Sequence, residues 1–244
     1  MKYLGCHLAF LLVCWTATAF AQPRQFGNIA YPAPGNIQLD EGTVEVWLTS
    51  YFDTEAKATE CGWASFFDLR TPDQTLTCSL MFLTWGKALA LLAGSGGLRH
   101  SYVWSRVLVW KPGEYHCVAL SWSGRRRRIY VDGAAGGKGG KGDTPPEVEV
   151  EGVFRGDLSQ TRLLIGSGYS PIVVDEVRIS SVARTPEEIA RGWTNAPAAD
   201  AYTLLLDHCD GGKPEVMAGT QGGPEGGFKV VASRFGNAIQ LWKE

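Results

Sequence analysis

The chain has 244 residues, 45% hydrophobic and 20% charged, with 23 Lys and Arg against 25 Asp and Glu. The apolar share is that of a protein with a packed core, and the length suits a single all-β domain. The net charge of −2 argues against nucleic acid as a partner, because domains that bind nucleic acid are usually clearly basic.

Residues 1–21 have the features of a secretory signal peptide. Lys2 supplies a positive charge, residues 8–15 form an apolar run, and Ala19-Phe20-Ala21 has the small-x-small form of a cleavage site. We therefore predict cleavage before Gln22 and a protein that is secreted, periplasmic or at the cell surface. No later segment reaches the ~18 apolar residues of a membrane span.

Four cysteines follow the predicted signal peptide: Cys61, Cys78, Cys117 and Cys209. An even number in an exported protein favours disulfides, and four cysteines allow three connectivities that sequence does not distinguish. Because Cys61 and Cys78 flank one apparent hairpin, the favoured pairs are Cys61–Cys78 and Cys117–Cys209.

The first half of the chain predicts a series of strands. Residues 22–41 are rich in Pro and Gly and are predicted as an extended entry segment, with a strand beginning at Ile37 and Leu39. In residues 43–48 Val44, Val46 and Leu48 alternate with polar residues and Trp47, which predicts a strand with Trp47 in the core. Further strands are predicted at 64–69, 75–84 and 88–93.

Residues 115–133 have the pattern of a β-hairpin. Val118, Leu120 and Trp122 alternate with Cys117, Ala119 and Ser121, Ser123-Gly124 interrupts the run, and residues 129–131 resume it. Asp132-Gly133 is a turn dipeptide. Arg125 to Arg128 are predicted at the tip or rim; a solvated rim is favoured over a basic patch for an anionic polymer. His116 is predicted to be packed or hydrogen-bonded.

The remaining elements are a glycine-rich surface loop after Gly133, strands at 147–154, 163–165 and 172–179, and one short helix near 186–193. Thr185, Pro186 and Glu188 predict the start of that helix, since they combine a cap, a proline at the first position and the capping-box spacing.

Three segments resemble laminin-G-like domains of the concanavalin A-like lectin/glucanase superfamily. They are residues 42–48 (GTVEVWL), the hairpin with its approach at 110–133, and LLIGSG at 163–168 followed by VDEVRISSVARTPEEI at 174–189. The resemblance implies an all-β antiparallel sandwich of the jelly-roll, concanavalin A-like type over residues 22–196. It does not imply one activity, because the fold hosts lectins, hydrolases and adhesion modules.

The tail, residues 197–244, contains two pieces that resemble the opening strands of the same family, at 203–212 and 234–241. Three arrangements are consistent with this order: the tail completes the same sandwich, begins a second domain, or pairs with the open edge of a neighbouring molecule. Completion of the sandwich is favoured, and an oligomer formed through the tail strands is the alternative.

Candidate sites follow from residue type. Sugar binding needs exposed aromatic rings beside hydrogen-bonding groups. That combination predicts a ligand platform formed by the following residues: Trp63, Trp85, His100, Tyr102, Trp104 and Arg106. For a metal, the candidates are Asp132 and Asp175, and calcium is the possible ion, although no contiguous acidic loop exists. In the resembling family the acid at Asp175-Glu176 more often anchors a turn or pairs with Arg178, so a structural role is favoured over a calcium site. No other cofactor is expected.

Catalysis is the least favoured interpretation. Glu147, Glu149 and Glu151 share one face of a predicted strand and resemble the carboxylate signature of the related glucanases, but the middle residue is Glu where that signature has Asp. The sequence therefore predicts an exported, non-catalytic recognition module for glycans or another extracellular or cell-envelope partner. An assembly module that pairs through its tail is the alternative, and a glycoside hydrolase ranks third.

Overall fold

The structure is a computed structural model that describes residues 25–55, 64–72, 76–83, 88–95, 101–136, 148–149, 153–166, 171–211, 213–216 and 219–243. Within these ranges all strand pairs are antiparallel and form two sheets, so the predicted all-β sandwich of the jelly-roll type is confirmed.

Among the described residues, eight strands form the first sheet: β1 (Gln25–Pro32), β3 (Ala64–Arg70), β4 (Leu76–Leu83), β5 (Ala88–Ser95), β6 (Ser101–Val107), β11 (Arg162–Ile165), β15 (Gly223–Gly226) and β18 (Trp242–Lys243). Their order is β15-β1-β11-β3-β4-β5-β6, and β18 also pairs with β1.

The second sheet has ten strands in the described part of the chain: β2 (Glu41–Ser50), β7 (Tyr115–Ser123), β8 (Arg126–Val131), β9 (Ala134–Ala135), β10 (Val148–Glu149), β12 (Ile172–Ser180), β13 (Thr203–Asp207), β14 (Glu215–Val216), β16 (Lys229–Ser233) and β17 (Gly236–Gln240). The order is β10-β8-β7-β2-β12-β13-β14, with β9 on β8, β17 on β12 and β16 on β17.

The main core lies between the sheets and follows the two-residue period of the strands. From β2 it takes Val44, Val46 and Leu48, and from β7 Val118, Leu120 and Trp122. The residues between them, including Trp47, Cys117 and Ser121, therefore lie on the outer face of the second sheet. Trp47 is fully buried, as predicted, but it lies outside the main core cluster.

The predicted helix is confirmed as α1 (Pro186–Gly192). Thr185 is its N-cap and forms a capping box with Glu188, and Pro186 stands at its start. Ile189 packs on Ala119 and Tyr130, so α1 covers part of the outer face of the second sheet. The Trp47 indole N–H donates to the Trp193 carbonyl at 2.9 Å and fixes the end of the helix. No helix in the described ranges is long and apolar enough to cross a membrane.

The predicted central hairpin is β7–β8, and a second turn follows it. Val131 pairs with Ala134 across Asp132-Gly133, and both turn residues have positive φ, 49° and 77°, as a two-residue turn of type I′ requires. Of Arg125 to Arg128, predicted at the tip or rim of the hairpin, Arg125 lies in the turn, and Arg126 to Arg128 belong to strand β8 next to it.

Two other parts of the chain differ from prediction. Residues 25–32, predicted as an entry segment, form β1 in the first sheet, whereas Ile37 and Leu39 lie outside any strand. The predicted strand at 147–154 is described as a strand only at β10, and Phe154 reaches the main core from an irregular segment.

The tail strands pair with strands of the same chain. β13 pairs with β12 over Val177 to Ser180, and β17 pairs with the same edge of β12 at Val173 and Val174. In the first sheet β15 and β18 pair with β1. The tail also contributes Leu205, Ile239 and Leu241 to the main core.

The predicted Cys117–Cys209 disulfide is not formed. Cys78, Cys117 and Cys209, the three cysteines that the structure describes, are free buried thiols. Cys117 lies on the outer face of the second sheet and Cys209 in the main core, so the sheet itself separates the two sulfurs. The predicted Cys61–Cys78 disulfide is also not formed, because Cys78 is a free thiol; Cys61 itself lies outside the described residues. Burial raises the pKa of all three thiols, which keeps them protonated.

Candidate functional site

An open cleft of about 220 Å³ lies on the outer face of the second sheet, between the β7–β8 hairpin and the segment that leads into α1. Its first wall consists of Ser121, Ser123, Arg126 and Arg128, with Trp122 and Arg127 bordering it, and its second wall is residues 183–186. In the pairing of β7 with β8, Ser121 is opposite Arg128 and Ser123 opposite Arg126. Two hydroxyls and two guanidiniums thus stand as a two-by-two array on one face.

Arg127 belongs to the opposite side of strand β8. Its guanidinium lies 3.9 Å from the centre of the Phe154 ring and donates to the carbonyls of Gly124 and Arg126. Burial lowers the pKa of Arg127 to about 10. Arg127 therefore links the hairpin turn to the core at Phe154, whereas its neighbours Arg126 and Arg128 line the cleft.

The second wall is fixed by a buried ion-pair network. Arg178 donates to Glu45 at 2.6 and 2.9 Å, and Arg184 donates to Asp200 at 2.8 and 2.9 Å and to Ser180. Glu45 also lies 3.6 Å from Arg184, so the two arginines share one carboxylate that is 1% exposed. Arg184 is therefore held rigidly at the mouth of the cleft, with its charge compensated.

The predicted metal ligand Asp132 is occupied by protein contacts. One carboxylate oxygen accepts from the Cys117 backbone N–H, and the other lies 2.9 Å from Nδ1 of His116, which stacks on Trp110. As predicted, His116 is packed and hydrogen-bonded.

Asp175, the other predicted ligand, lies at a β-bulge in β12, with β7 and β2 between that strand and β8. Tyr115, Ser233 and the Phe235 backbone N–H approach its buried carboxylate, but within the described ranges neither oxygen has a partner of normal geometry. Arg178 pairs with Glu45, so of the two structural roles predicted for the acid, anchoring a turn or pairing with Arg178, the second was wrong.

The two acids do not fit a shared calcium site, since calcium takes 6–8 oxygens and the described residues contain no group of three or more potential metal-binding side chains. A calcium ion as the possible cofactor stays a prediction.

Beside the bulge, Glu176 and Asp207 form a second acidic group. Glu176 is 2% exposed and lies 2.7 Å from His208, and Asp207 accepts from the Tyr31 hydroxyl across the gap between the sheets. Burial raises the pKa of Glu176 to about 7, and the nearby charges of Asp175 and Asp207 add to this, while His208 offsets part of it. The two carboxylates are buried, whereas the cleft between the hairpin and α1 is open to a ligand.

A family model of the concanavalin A-like lectin/glucanases superfamily matches residues 24–190. The chain belongs to this superfamily. Among solved structures, a putative carbohydrate binding protein from Bacteroides ovatus is 16% identical, with a TM-score of 0.53. The matched region covers 89% of this chain and 59% of the chain of that protein.

Domains LG4-5 of the mouse laminin α1 chain are 14% identical, with a TM-score of 0.47. The match covers 84% of this chain and 52% of the laminin fragment. A pentraxin from Limulus polyphemus is 13% identical, with a TM-score of 0.43, and the match covers 70% of this chain and 76% of the pentraxin chain. Among curated proteins, none matches the sequence. At these identities the similarity shows the superfamily fold and no more.

The aromatic platform predicted for this superfamily member lies largely outside the described residues. The structure does not describe Trp63, Trp85 and His100. The other three, Tyr102, Trp104 and Arg106, lie on β6, the edge strand of the first sheet, where only the backbone is described. Tyr102 is opposite Leu92 and Trp104 opposite Ala90. The structure thus brings three of the six residues onto one strand, and the platform stays a prediction.

Sequence analysis missed the cleft, although one signal was present. Ser121 and Ser123 alternate with core residues on β7, and Arg126 and Arg128 alternate with core-side Arg127 on β8. The two periods place all four residues on the outer face. What the sequence did not contain is the position of α1, which supplies the second wall.

The enclosed acidic group predicts a pH dependence of stability. The usual pKa of Glu176 is 4.5 and the folded value about 7, so between these pH values the folded state binds more protons than the unfolded state. This contribution to stability is therefore fully present below pH 4.5 and is lost as the pH rises through about 7. Over this pH range we expect the free energy of unfolding of the wild type to fall by about 1–3 kcal/mol more than that of Glu176→Gln.

Urea unfolding of the wild type and Glu176→Gln between pH 4.5 and 8 measures the effect. Asp175 and Asp207 also have raised pKa values, so some slope is expected in the variant. The exposed Glu225→Gln is the control and should keep the wild-type slope. Equal slopes in wild type and Glu176→Gln would contradict the assignment.

Proposed function

We propose that this protein is an extracellular or cell-envelope recognition module that binds a glycan in the cleft between the β7–β8 hairpin and α1, without catalysis. The observation that carries the proposal is the composition of that cleft. Its described walls present three hydroxyl-bearing side chains, Ser121, Ser123 and Thr185, beside the guanidiniums of Arg126 and Arg128. Such converging donors suit a ligand rich in oxygen acceptors.

The same composition supports a non-catalytic role. Glycoside hydrolysis ordinarily requires two carboxylates facing one sugar, and the described walls of the cleft contain no carboxylate, imidazole or thiol. Of the three glutamates considered for hydrolysis, Glu149 lies on β10 on the far side of β8, and Glu147 and Glu151 are outside the described residues. Export itself rests on the predicted signal peptide.

The test is a thermal-shift screen of residues 22–244 against neutral and acidic polysaccharides, with and without calcium. A ligand at one hundred times its dissociation constant should add ~2.7 kcal/mol of stability, or roughly 5–10 °C for a chain of this size. Ser123→Trp, which adds a large side chain at the rim of the cleft, should abolish the shift. Val230→Trp, on exposed β16, should leave it unchanged.

Absence of a shift with every polysaccharide would contradict glycan recognition. A shift that Ser123→Trp preserves would show that the ligand binds elsewhere, with the β6 aromatic residues as the next place to examine.

A further inference from the structure

Strand β16 forms a free edge of the second sheet. It pairs with β17 along its whole length on one side, and in the described part of the chain no backbone group bonds to its other side. Its five residues contain no proline and no bulge, and Lys229 is the only charged one. By contrast, the edge strand β15 of the first sheet contains Pro224, which has no backbone N–H. A free edge such as that of β16 is a template for a further strand.

The hairpin turn between β16 and β17 determines which backbone groups point outward. Ser233 and Gly236 close a two-residue turn and therefore form a hydrogen-bonded pair. Such pairs alternate with non-hydrogen-bonded pairs along an antiparallel ladder. Counting back from Ser233, the N–H and C=O groups of Val230 and Ala232 thus point away from β17. Both residues are exposed, so the edge presents two donors and two acceptors to solvent.

Two copies of this edge are complementary to each other. In an antiparallel pair centred on Val231, Val230 of one copy lies opposite Ala232 of the second copy, and the two residues exchange both backbone hydrogen bonds. The two-fold symmetry repeats this exchange on the other side of the axis, so all the outward groups gain a partner. Lys229 lies opposite Ser233 of the second copy, so the pairing opposes no like charges. The strand's own sequence therefore satisfies its free edge.

The side chains favour the same register. Val231 packs at the margin of a buried cluster formed by Val173, Ala238 and Trp242. On the two-fold axis the two Val231 side chains face each other with Cβ atoms about 4.5–5.5 Å apart, which joins the two clusters into one apolar strip. Val230, one of four exposed large hydrophobic side chains among the described residues, loses part of its 47% exposure on the opposite face of the strand.

We propose that the protein forms a symmetric dimer in which the β16 strands of two copies pair antiparallel about Val231. The second sheet then continues across the two-fold axis. Because this axis is perpendicular to the sheet, the outer faces of both copies point the same way. Both clefts between the β7–β8 hairpin and α1 therefore open on one side of the dimer, which permits bivalent binding to a polymeric ligand. The dimer itself does not depend on the glycan recognition proposed above.

The expected association is weak. A contact between two five-residue strands falls below the ~1,200 Å² of standard interfaces, in the range of weak or transient complexes. We expect a dissociation constant of roughly 1–100 μM, which sedimentation equilibrium of residues 22–244 measures over the same concentrations.

Ala232→Pro tests the backbone pairing. It removes one outward N–H and places the proline ring at the interface, whereas the N–H groups that bond to β17 remain, so the fold should tolerate it. The variant should raise the dissociation constant at least tenfold. Ala232→Val, which keeps the N–H at the same position, should dimerise as the wild type does. So should Val109→Ser, which removes a different exposed apolar side chain.

A charge exchange at Val231 tests the register. Val231→Lys and Val231→Glu each place two like charges opposite each other on the axis, so each variant alone should be monomeric. An equal mixture of the two should restore dimers, because the mixed pair opposes a positive and a negative charge. Recovery in the mixture distinguishes a lost contact from a variant that fails to fold.

Amide hydrogen exchange adds a readout for single residues. The amides of Val230 and Ala232 should exchange at least tenfold more slowly in the dimer than in the monomer, whereas the Val231 amide, which bonds to β17, should change little. Dimerisation of Ala232→Pro as tight as that of the wild type would overturn the proposal, as would a mixture of the Val231 variants that stays monomeric. A wild-type monomer whose Val230 and Ala232 amides exchange freely at every concentration would also overturn it, and would leave the edge open to a strand of a different protein.

Discussion

Replacing Glu45 with alanine is expected to destabilise the protein by about 3–5 kcal/mol, because it leaves buried positive charge without its partner. Glu45 accepts two hydrogen bonds from Arg178 and lies 3.6 Å from Arg184, and all three side chains are at most 10% exposed. Burial alone would lower the pKa of Arg178, yet the hydrogen bonds and charge of Glu45 raise it above its usual value. Without Glu45 the guanidinium of Arg178 must remain charged in a poorly solvated place.

Two comparisons test this reasoning. Glu225→Ala breaks the exposed pair with Arg162, whose two side chains are 51% and 52% exposed, and should cost less than about 1 kcal/mol. Adding Arg178→Met to Glu45→Ala removes the unpaired charge and should restore part of the lost stability. Urea unfolding measures all of these; a cost for Glu45→Ala similar to that of Glu225→Ala would contradict the assigned network.

The elements that sequence predicted are those whose signals are local. Alternating residues fix the faces of β2 and β7, Asp132-Gly133 fixes a turn because both residues adopt positive φ, and Thr185 with Glu188 caps α1. Each signal depends on neighbours within a few positions of the chain. These are the interactions that a pattern reports without knowledge of the fold.

The errors concern contacts between distant parts of the chain. Pairing with Arg178 was one of two structural roles expected for Asp175, but the register of β12 on β2 sets Glu45 directly opposite Arg178. Cys117 and Cys209 were paired by elimination, but they lie on different sides of the second sheet. Register and face are set by tertiary packing, so they became visible only in the structure.

Deletion of residues 200–244 is expected to abolish folding, because the tail contributes both core and strands. Leu205, Ile239 and Leu241 are at most 2% exposed, and burial of three such side chains stabilises by roughly 5–9 kcal/mol, comparable to the ~5–15 kcal/mol of a whole domain. The deletion also uncovers the edges of β12 and β1 that β13, β17, β15 and β18 occupy. Circular dichroism in the near ultraviolet and limited proteolysis should report an unfolded or aggregated chain.

Point variants show whether the loss is due to the core. Leu205→Ala should cost about 2–5 kcal/mol, whereas Tyr202→Ala, at a side chain that is 52% exposed, should cost about 0.5 kcal/mol or less. The deletion also distinguishes a tail that folds back from one that links molecules. If the tail served only assembly, the shortened chain would be a folded monomer with a cooperative unfolding transition. That result would contradict the role assigned here to β13 and β17, since a sheet that has lost both strands along one edge of β12 exposes its backbone groups and its core together.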